Sequence, residues 1–266
     1  MPSSQASIQD RFSKLRGLGE KALVLFVTAG DPPLAELPAI LGALEEGGAD
    51  LIEIGIPFSD PIADGPTIQA SSQRALDRGV NMEGVLSAVK AASVSIPIVA
   101  MGYLNPILRM GVREAAQRFA SASISGTIVS DLTPEEGADW IKASRDQMLD
   151  TIFLAAPTST DARLDLVCKD STGFVYAVSR TGVTGTGSAV PSDVLSLVTR
   201  IKERTQLPVC VGFGISKPEH VRMVCGAADG AVIGSWLVQW LAANWQGGAG
   251  RAALIEQIRE LKAATR

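Results

Sequence analysis

Eight short apolar runs, each followed by a stretch of helical character, constrain this chain more than any other feature. They are Leu23–Thr28, Leu51–Ile54, Ile96–Met101, Gly126–Ser130, Leu149–Ala155, Phe174–Val178, Val209–Val211 and Gly230–Ile233. Each is near-continuous Val, Ile, Leu and Ala rather than alternating, the pattern of strands buried on both faces. Helices are expected between them, one ending near Glu46 and others over 66–78, 82–93, 111–121, Pro134–Arg145, Asp161–Lys169, Ser192–Arg204 and Lys217–Cys225. Parallel strands joined by helical crossovers follow. In 266 residues, eight such units suit a closed barrel better than an open doubly wound sheet. The expected fold is therefore α/β, a single (β/α)8 TIM barrel spanning residues 1–266. Extra helices are expected at the N-terminus (7–17) and the C-terminus (235–244 and 249–264).

Composition removes several classes of function. The net charge is -4 with both signs mixed along the chain, and no basic block appears, so no nucleic-acid partner is expected. No apolar run approaches the length of a membrane span, and the first residues lack a secretory signal. The three cysteines, Cys168, Cys210 and Cys225, lie far apart and form no ligand cluster with the single histidine, His220. A reduced, cytoplasmic setting and no bound metal are expected. Serine-triad, histidine acid–base and histidine–metal chemistry would all have to pass through His220, which reads as an exposed residue at a helix start. In an enzyme of this composition, carboxylates must carry the proton transfers.

Barrel enzymes place their sites at the C-terminal ends of strands, so the strand exits are where chemistry is expected. The second exit is the richest, Leu51-Ile-Glu-Ile-Gly-Ile-Pro-Phe-Ser-Asp-Pro-Ile-Ala-Asp-Gly-Pro-Thr67. Glu53 lies inside an apolar strand and shares a face with Leu51. It is either a functional acid in the barrel mouth, with a pKa raised by desolvation, or half of a structural ion pair. Asp64 is either a functional carboxylate or the N-cap of the helix that starts at Gly65-Pro66. Asp60 reads as a turn residue. The sixth exit, Ser179-Arg-Thr-Gly-Val-Thr-Gly-Thr-Gly187, has the composition of a lid or of a plain flexible connection. Tyr176 either presents its hydroxyl to the mouth or belongs to the core. The last two exits, Val211-Gly-Phe-Gly-Ile-Ser216 and Ile233-Gly-Ser235, put glycine and serine at helix starts, which suits a phosphate. A faint repeat, A-D-x-x-x-I-G, relates Ala49–Gly55 to Ala228–Gly234.

These residues resemble a known family. Glu53-Ile-Gly-Ile-Pro-Phe-Ser-Asp-Pro-Ile-Ala-Asp-Gly-Pro-Thr-Ile-Gln69 is similar to the signature of the tryptophan synthase α chain. Phe26–Pro32, Met101–Pro106, Ser179–Gly185 and Gly212–Ser216 resemble it too, in the right order, and the likeness runs from about residue 7 to 262. The resemblance implies a carbon–carbon lyase that cleaves indole-3-glycerol phosphate to indole and glyceraldehyde 3-phosphate in tryptophan biosynthesis. It implies no cofactor in this chain. Pyridoxal phosphate is expected only in a partner β subunit, within an α2β2 heterotetramer. By motif position, Glu53 matches the general acid/base and Asp64 the carboxylate at the indole N–H. Tyr176 matches a tyrosine against the substrate. Phe26, Tyr103 and Phe213 match the indole pocket. Gly185, Gly214, Gly234 and Ser235 match the phosphate cradle, while Arg180 and Thr184 match the closing loop, where the threonine engages Asp64. The chain departs from the expected pattern at Ser130 and Thr133, where prolines are expected, and at Trp236. A stand-alone lyase releasing free indole, or a weakly catalytic subunit that mainly activates a β chain, would carry the same motif.

Overall fold

A computed structural model of the protein describes residues 6–178, 192–212 and 214–266. Among them, nine parallel strands form one sheet. They are β1 (Ala22–Thr28), β2 (Leu51–Gly55), β3 (Ile98–Gly102), β4 (Gly126–Val129), β5 (Asp150–Thr151), β6 (Leu154–Ala155), β7 (Val175–Val178), β8 (Val209–Gly212) and β9 (Gly230–Ile233). The spatial order is β5-β4-β3-β2-β1-β9-β8-β7-β6. Its two ends, β5 and β6, are joined in the chain by Ile152 and Phe153. The Ile152 N–H donates to the Thr127 carbonyl at 2.9 Å, and the Tyr176 N–H donates to the Phe153 carbonyl at 3.2 Å. The joined pair therefore bonds to both flanking strands as one stave, and the sheet closes into the (β/α)8 barrel.

The split of this stave departs from the single strand expected over Leu149–Ala155. Side-chain hydroxyls interrupt its backbone ladder. Thr172 Oγ1 accepts the Thr151 N–H at 2.9 Å, and Ser171 Oγ accepts the Phe153 N–H at 3.3 Å. Other boundaries differ for local reasons. β3 begins at Ile98 rather than Ile96, because Pro97 has no N–H for the ladder. The loop expected after Tyr103 contains a helix, Leu104–Met110, which tolerates Pro106 because its first turn needs no N–H partner there. Gly111, at φ 94°, separates it from the helix Val112–Ser121. The helix expected from Pro134 begins at Ala138, since Thr133–Gly137 close two turns with bonds of 3.1 Å.

Two apolar layers hold the barrel. The outer layer lies between strands and helices, and the inner one fills the barrel with alternate strand residues such as Val24, Leu51, Val99, Ile128, Phe174 and Val232. Ile8, Phe12 and Leu15 of the N-terminal helix Ile8–Leu18 join the inner layer, so this helix plugs the end where the strands begin. Phe12 meets Phe174 there with ring centroids 6.0 Å apart.

Asp50, one residue before β2, is fully buried at the same end. Its carboxylate accepts the Leu23 N–H at 2.7 Å and pairs with Arg11 and with Lys262 of the helix Arg251–Ala263. Asp229 repeats the device before β9, accepting the Val209 N–H at 3.1 Å and pairing with Lys21 and Lys202. The faint A-D-x-x-x-I-G repeat therefore has a physical basis. Each aspartate secures the first free N–H of a neighbouring strand. Among the described residues, no helix is long and apolar enough to cross a membrane.

Candidate active site

The alternation that puts Leu51 in the inner layer puts Glu53 there too, one step nearer the mouth. Its register partner on β1 is Phe26. Glu53 is 0% exposed, and neither carboxylate oxygen has a hydrogen-bond partner among the described residues. Burial alone pushes its pKa from 4.5 up to about 8. No ion pair to Glu53 forms among the described residues, so the structural-pair alternative has no cation to support it. A buried acid without a partner is costly, and at neutral pH it keeps its proton.

The loop after β2 brings Asp64 over the mouth. The N-cap of the helix Pro66–Asp77 is Gly65, and no side chain caps it, so of the two alternatives for Asp64 the capping one falls away. Asp64 instead accepts a hydrogen bond from the Tyr103 hydroxyl at 3.0 Å. Burial raises the Asp64 pKa, and the Tyr103 bond offsets part of that rise. The Tyr103 hydroxyl in turn accepts the Ala63 N–H at 3.1 Å, and its ring stacks on Phe58 at 5.1 Å. Tyr103 thus both walls the mouth and fixes the loop that carries Asp64. The bond between them leaves no trace in the sequence, since the two residues lie 39 apart. Asp60 is exposed and bonded to the neighbouring Ser59 hydroxyl, as a loop residue would be.

Two glycines make room for aromatic rings here. Gly55 follows Glu53 on the inner face, and a Cβ there would collide with the Phe26 ring. Gly212 ends β8, and a Cβ there would lie 2.5 Å from the Tyr176 hydroxyl oxygen. Tyr176 is buried in the inner layer, with its ring edge-on to Phe174 at 6.3 Å. Its pKa is pushed far up by burial and by Glu53, so it stays a neutral phenol.

Beside Asp64 and Tyr103 lies a narrow cavity, lined among others by Phe26, Gly55, Asp64, Met101, Tyr103 and Ser130. Glu53 lies beneath the cavity and does not line it. Ser72 of the lining carried no sequence signal, being an ordinary helix residue, while Met101 and Ile68 lie inside the matching motifs but had no role assigned to them.

At the exit of β9, beside β1, Gly234 precedes the helix Ser235–Asn244 and Ser235 is its exposed first residue. Gly214 has φ 40° and open space around its Cβ position. Trp236 is half-buried and packs on the outer layer, so the departure at this position is absorbed by the core. Arg180, Thr184, Gly185 and Phe213 lie outside the described residues. His220 sits in the helix Pro218–Cys225, where its Nδ1 accepts the Ser216 N–H at 3.4 Å. Among the described residues, no group of three His, Cys, Asp or Glu side chains could hold a metal ion.

A closed parallel barrel with a sealed, partnerless carboxylic acid under its mouth defines the class as a (β/α)8 barrel enzyme. Comparison with known proteins narrows the class. Residues 12–266 match the profile of the tryptophan synthase alpha chain family. The tryptophan synthase alpha chain of Geobacter sp. (strain M21) is 48% identical over 94% of this chain and 93% of its own length. That of Burkholderia ambifaria is 48% identical over 97% and 96%. Among solved structures, tryptophan synthase from Mycobacterium tuberculosis superposes with a TM-score of 0.90 at 39% identity, covering 98% of this chain and 99% of that one. A structure of the tryptophan synthase α2β2 complex from Pyrococcus furiosus gives 0.85 at 39% identity, over 91% and 98%. The chain belongs to the tryptophan synthase alpha chain family, the lyase subunit that cleaves indole-3-glycerol phosphate in tryptophan biosynthesis.

Proposed function

We propose that the cavity over Glu53 is where this chain cleaves indole-3-glycerol phosphate, with Glu53 as the acid and base of the reaction. The observation that carries this reading is the buried, unpartnered Glu53 carboxyl, which keeps its proton up to pH about 8. Glu53 gives that proton to the ring carbon that bears the glycerol chain. The ring becomes a cation, and the Asp64 carboxylate at the ring N–H stabilises it. The bond between ring and chain then breaks, and its electron pair returns to the ring to restore aromaticity. Glu53, now a carboxylate, collects the proton of the adjacent chain hydroxyl as that carbon becomes the aldehyde. Indole and glyceraldehyde 3-phosphate leave, and Glu53 ends protonated, as it began. Two carboxylates held at separated pKa values suit these two tasks. Because Glu53 lies under the cavity floor, side chains at the mouth must shift as substrate enters.

Phe26, Tyr103 and Phe213 wall the ring on this reading, with Tyr176 against the reacting chain. The phosphate is held by Gly185, Gly214, Gly234 and Ser235, and Arg180 and Thr184 close over it. A remote phosphate supplies binding energy that orients the bond to be broken. The whole chain, 1–266, works as one domain in the cytoplasm. Its partner is a β chain that binds pyridoxal phosphate and receives the indole, in an α2β2 assembly like the one solved from Pyrococcus furiosus. The chain itself needs no cofactor. The test is a steady-state assay of glyceraldehyde 3-phosphate release from indole-3-glycerol phosphate. Glu53→Gln is expected to lose about 10²–10⁴-fold in turnover, and Asp64→Asn a comparable amount. Near-wild-type turnover in either variant would remove the role assigned to that residue.

A further inference from the structure

Ser130 directly follows β4, and its hydroxyl is an orphan. The Ser130 N–H donates to the Gly102 carbonyl at 2.8 Å, which carries the β3–β4 ladder one step past Val129. Alternation then places Ser130 on the same inward face as Ile128 of the inner layer. Its Oγ is buried and has no hydrogen-bond partner among the described residues. It lines the cavity that Asp64, Tyr103 and Phe26 line. Of the other two lining residues with hydroxyls, Ser72 and Tyr103, the Tyr103 hydroxyl is already paired as donor to Asp64 and as acceptor from Ala63, and Ser72 is not among the buried orphans. Buried polar groups are nearly always paired, so an unpaired hydroxyl facing a cavity marks a place where a ligand atom completes it.

We propose that Ser130 is a specificity-determining residue that hydrogen-bonds a polar substituent, a hydroxyl or an amine, on the carbocyclic half of an indole substrate. This rests on the reading of the cavity as the ring pocket. The unsubstituted ring offers one polar atom, the ring N–H, and Asp64 takes it. Ser130 is then left without a partner, whereas a hydroxylated ring supplies one. A pocket with this hydroxyl discriminates between a ring hydroxyl and a methyl group of similar size, which a purely apolar wall does poorly.

The reverse reaction provides the assay. The protein condenses glyceraldehyde 3-phosphate with indole, with each benzo-ring hydroxyindole, and with the methylindole substituted at the same position. In the wild-type protein, at least one hydroxyindole is expected to exceed its methyl counterpart in kcat/KM. In Ser130→Ala that hydroxyl-to-methyl ratio is expected to fall about 3–10-fold, the equivalent of one neutral hydrogen bond. Condensation of indole itself by the variant verifies that it is folded. Ratios equal in wild type and variant for every pair would overturn the proposal. Failure of the wild-type protein to condense even indole would instead overturn the reading of the cavity on which the proposal rests.

Discussion

At the scale of single residues, the role proposed for Glu53 opposes stability. An ordinary glutamate titrates at 4.5, and burial moves Glu53 to about 8. Between those values the folded protein holds a proton that the unfolded chain has released. Stability therefore falls as pH rises through this window, and the loss is complete above about pH 8. The neutral isostere Glu53→Gln lacks that loss. Thermal or denaturant melts are expected to show the variant more stable than wild type at pH 8, by up to about 5 kcal/mol, and no more stable near pH 4. A variant less stable than wild type across the whole range would mean that Glu53 is a structural partner. The position of the acid was legible in the sequence, as a charge inside an apolar run. The tie between Tyr103 and Asp64 was not, since it depends on how two separate loops meet over the mouth.

At the scale of elements, the alternation of apolar runs and helices was enough to place the eight staves. What it missed were interruptions set by side chains or by proline. The hydroxyls of Ser171 and Thr172 divide the fifth stave, and Pro106 is accommodated in a short extra helix. Neither leaves a periodic signature. The aspartates before β2 and β9 were visible as a repeat, but their role appeared only with their partners. Asp50 joins the first and last helices through Arg11 and Lys262 at the end of the barrel remote from the cavity. Asp50→Asn removes the carboxylate facing Arg11, while Lys262 keeps Glu20 at 3.1 Å, and a loss of about 1–3 kcal/mol is expected. A thermal melt measures it, and the kcat/KM of the folded variant is expected to stay within about twofold of wild type, since additivity holds between distant sites. A melting temperature unchanged from wild type would show that the clasp adds nothing.

For the whole molecule, the chain is a barrel whose two ends do different work. The end where strands begin is plugged by Ile8, Phe12 and Leu15 and tied by ion pairs, while the other end holds the cavity and its acids. Such an arrangement lets loops at the mouth respond to a partner without disturbing the core. Adding a pyridoxal-phosphate β chain is therefore expected to raise the turnover of indole-3-glycerol phosphate, and the two chains are expected to co-elute on gel filtration. Separate elution with turnover unchanged would indicate a stand-alone lyase. The central claim, that Glu53 delivers the proton to the ring, is tested most directly by the pH dependence of kcat/KM for cleavage. The expected profile is level at neutral pH and falls about tenfold per pH unit above about 8, as Glu53 loses its proton, with Glu53→Gln low and featureless throughout. A wild-type profile that stays level well past pH 8, with Glu53→Gln following it at similar rates, would contradict the claim.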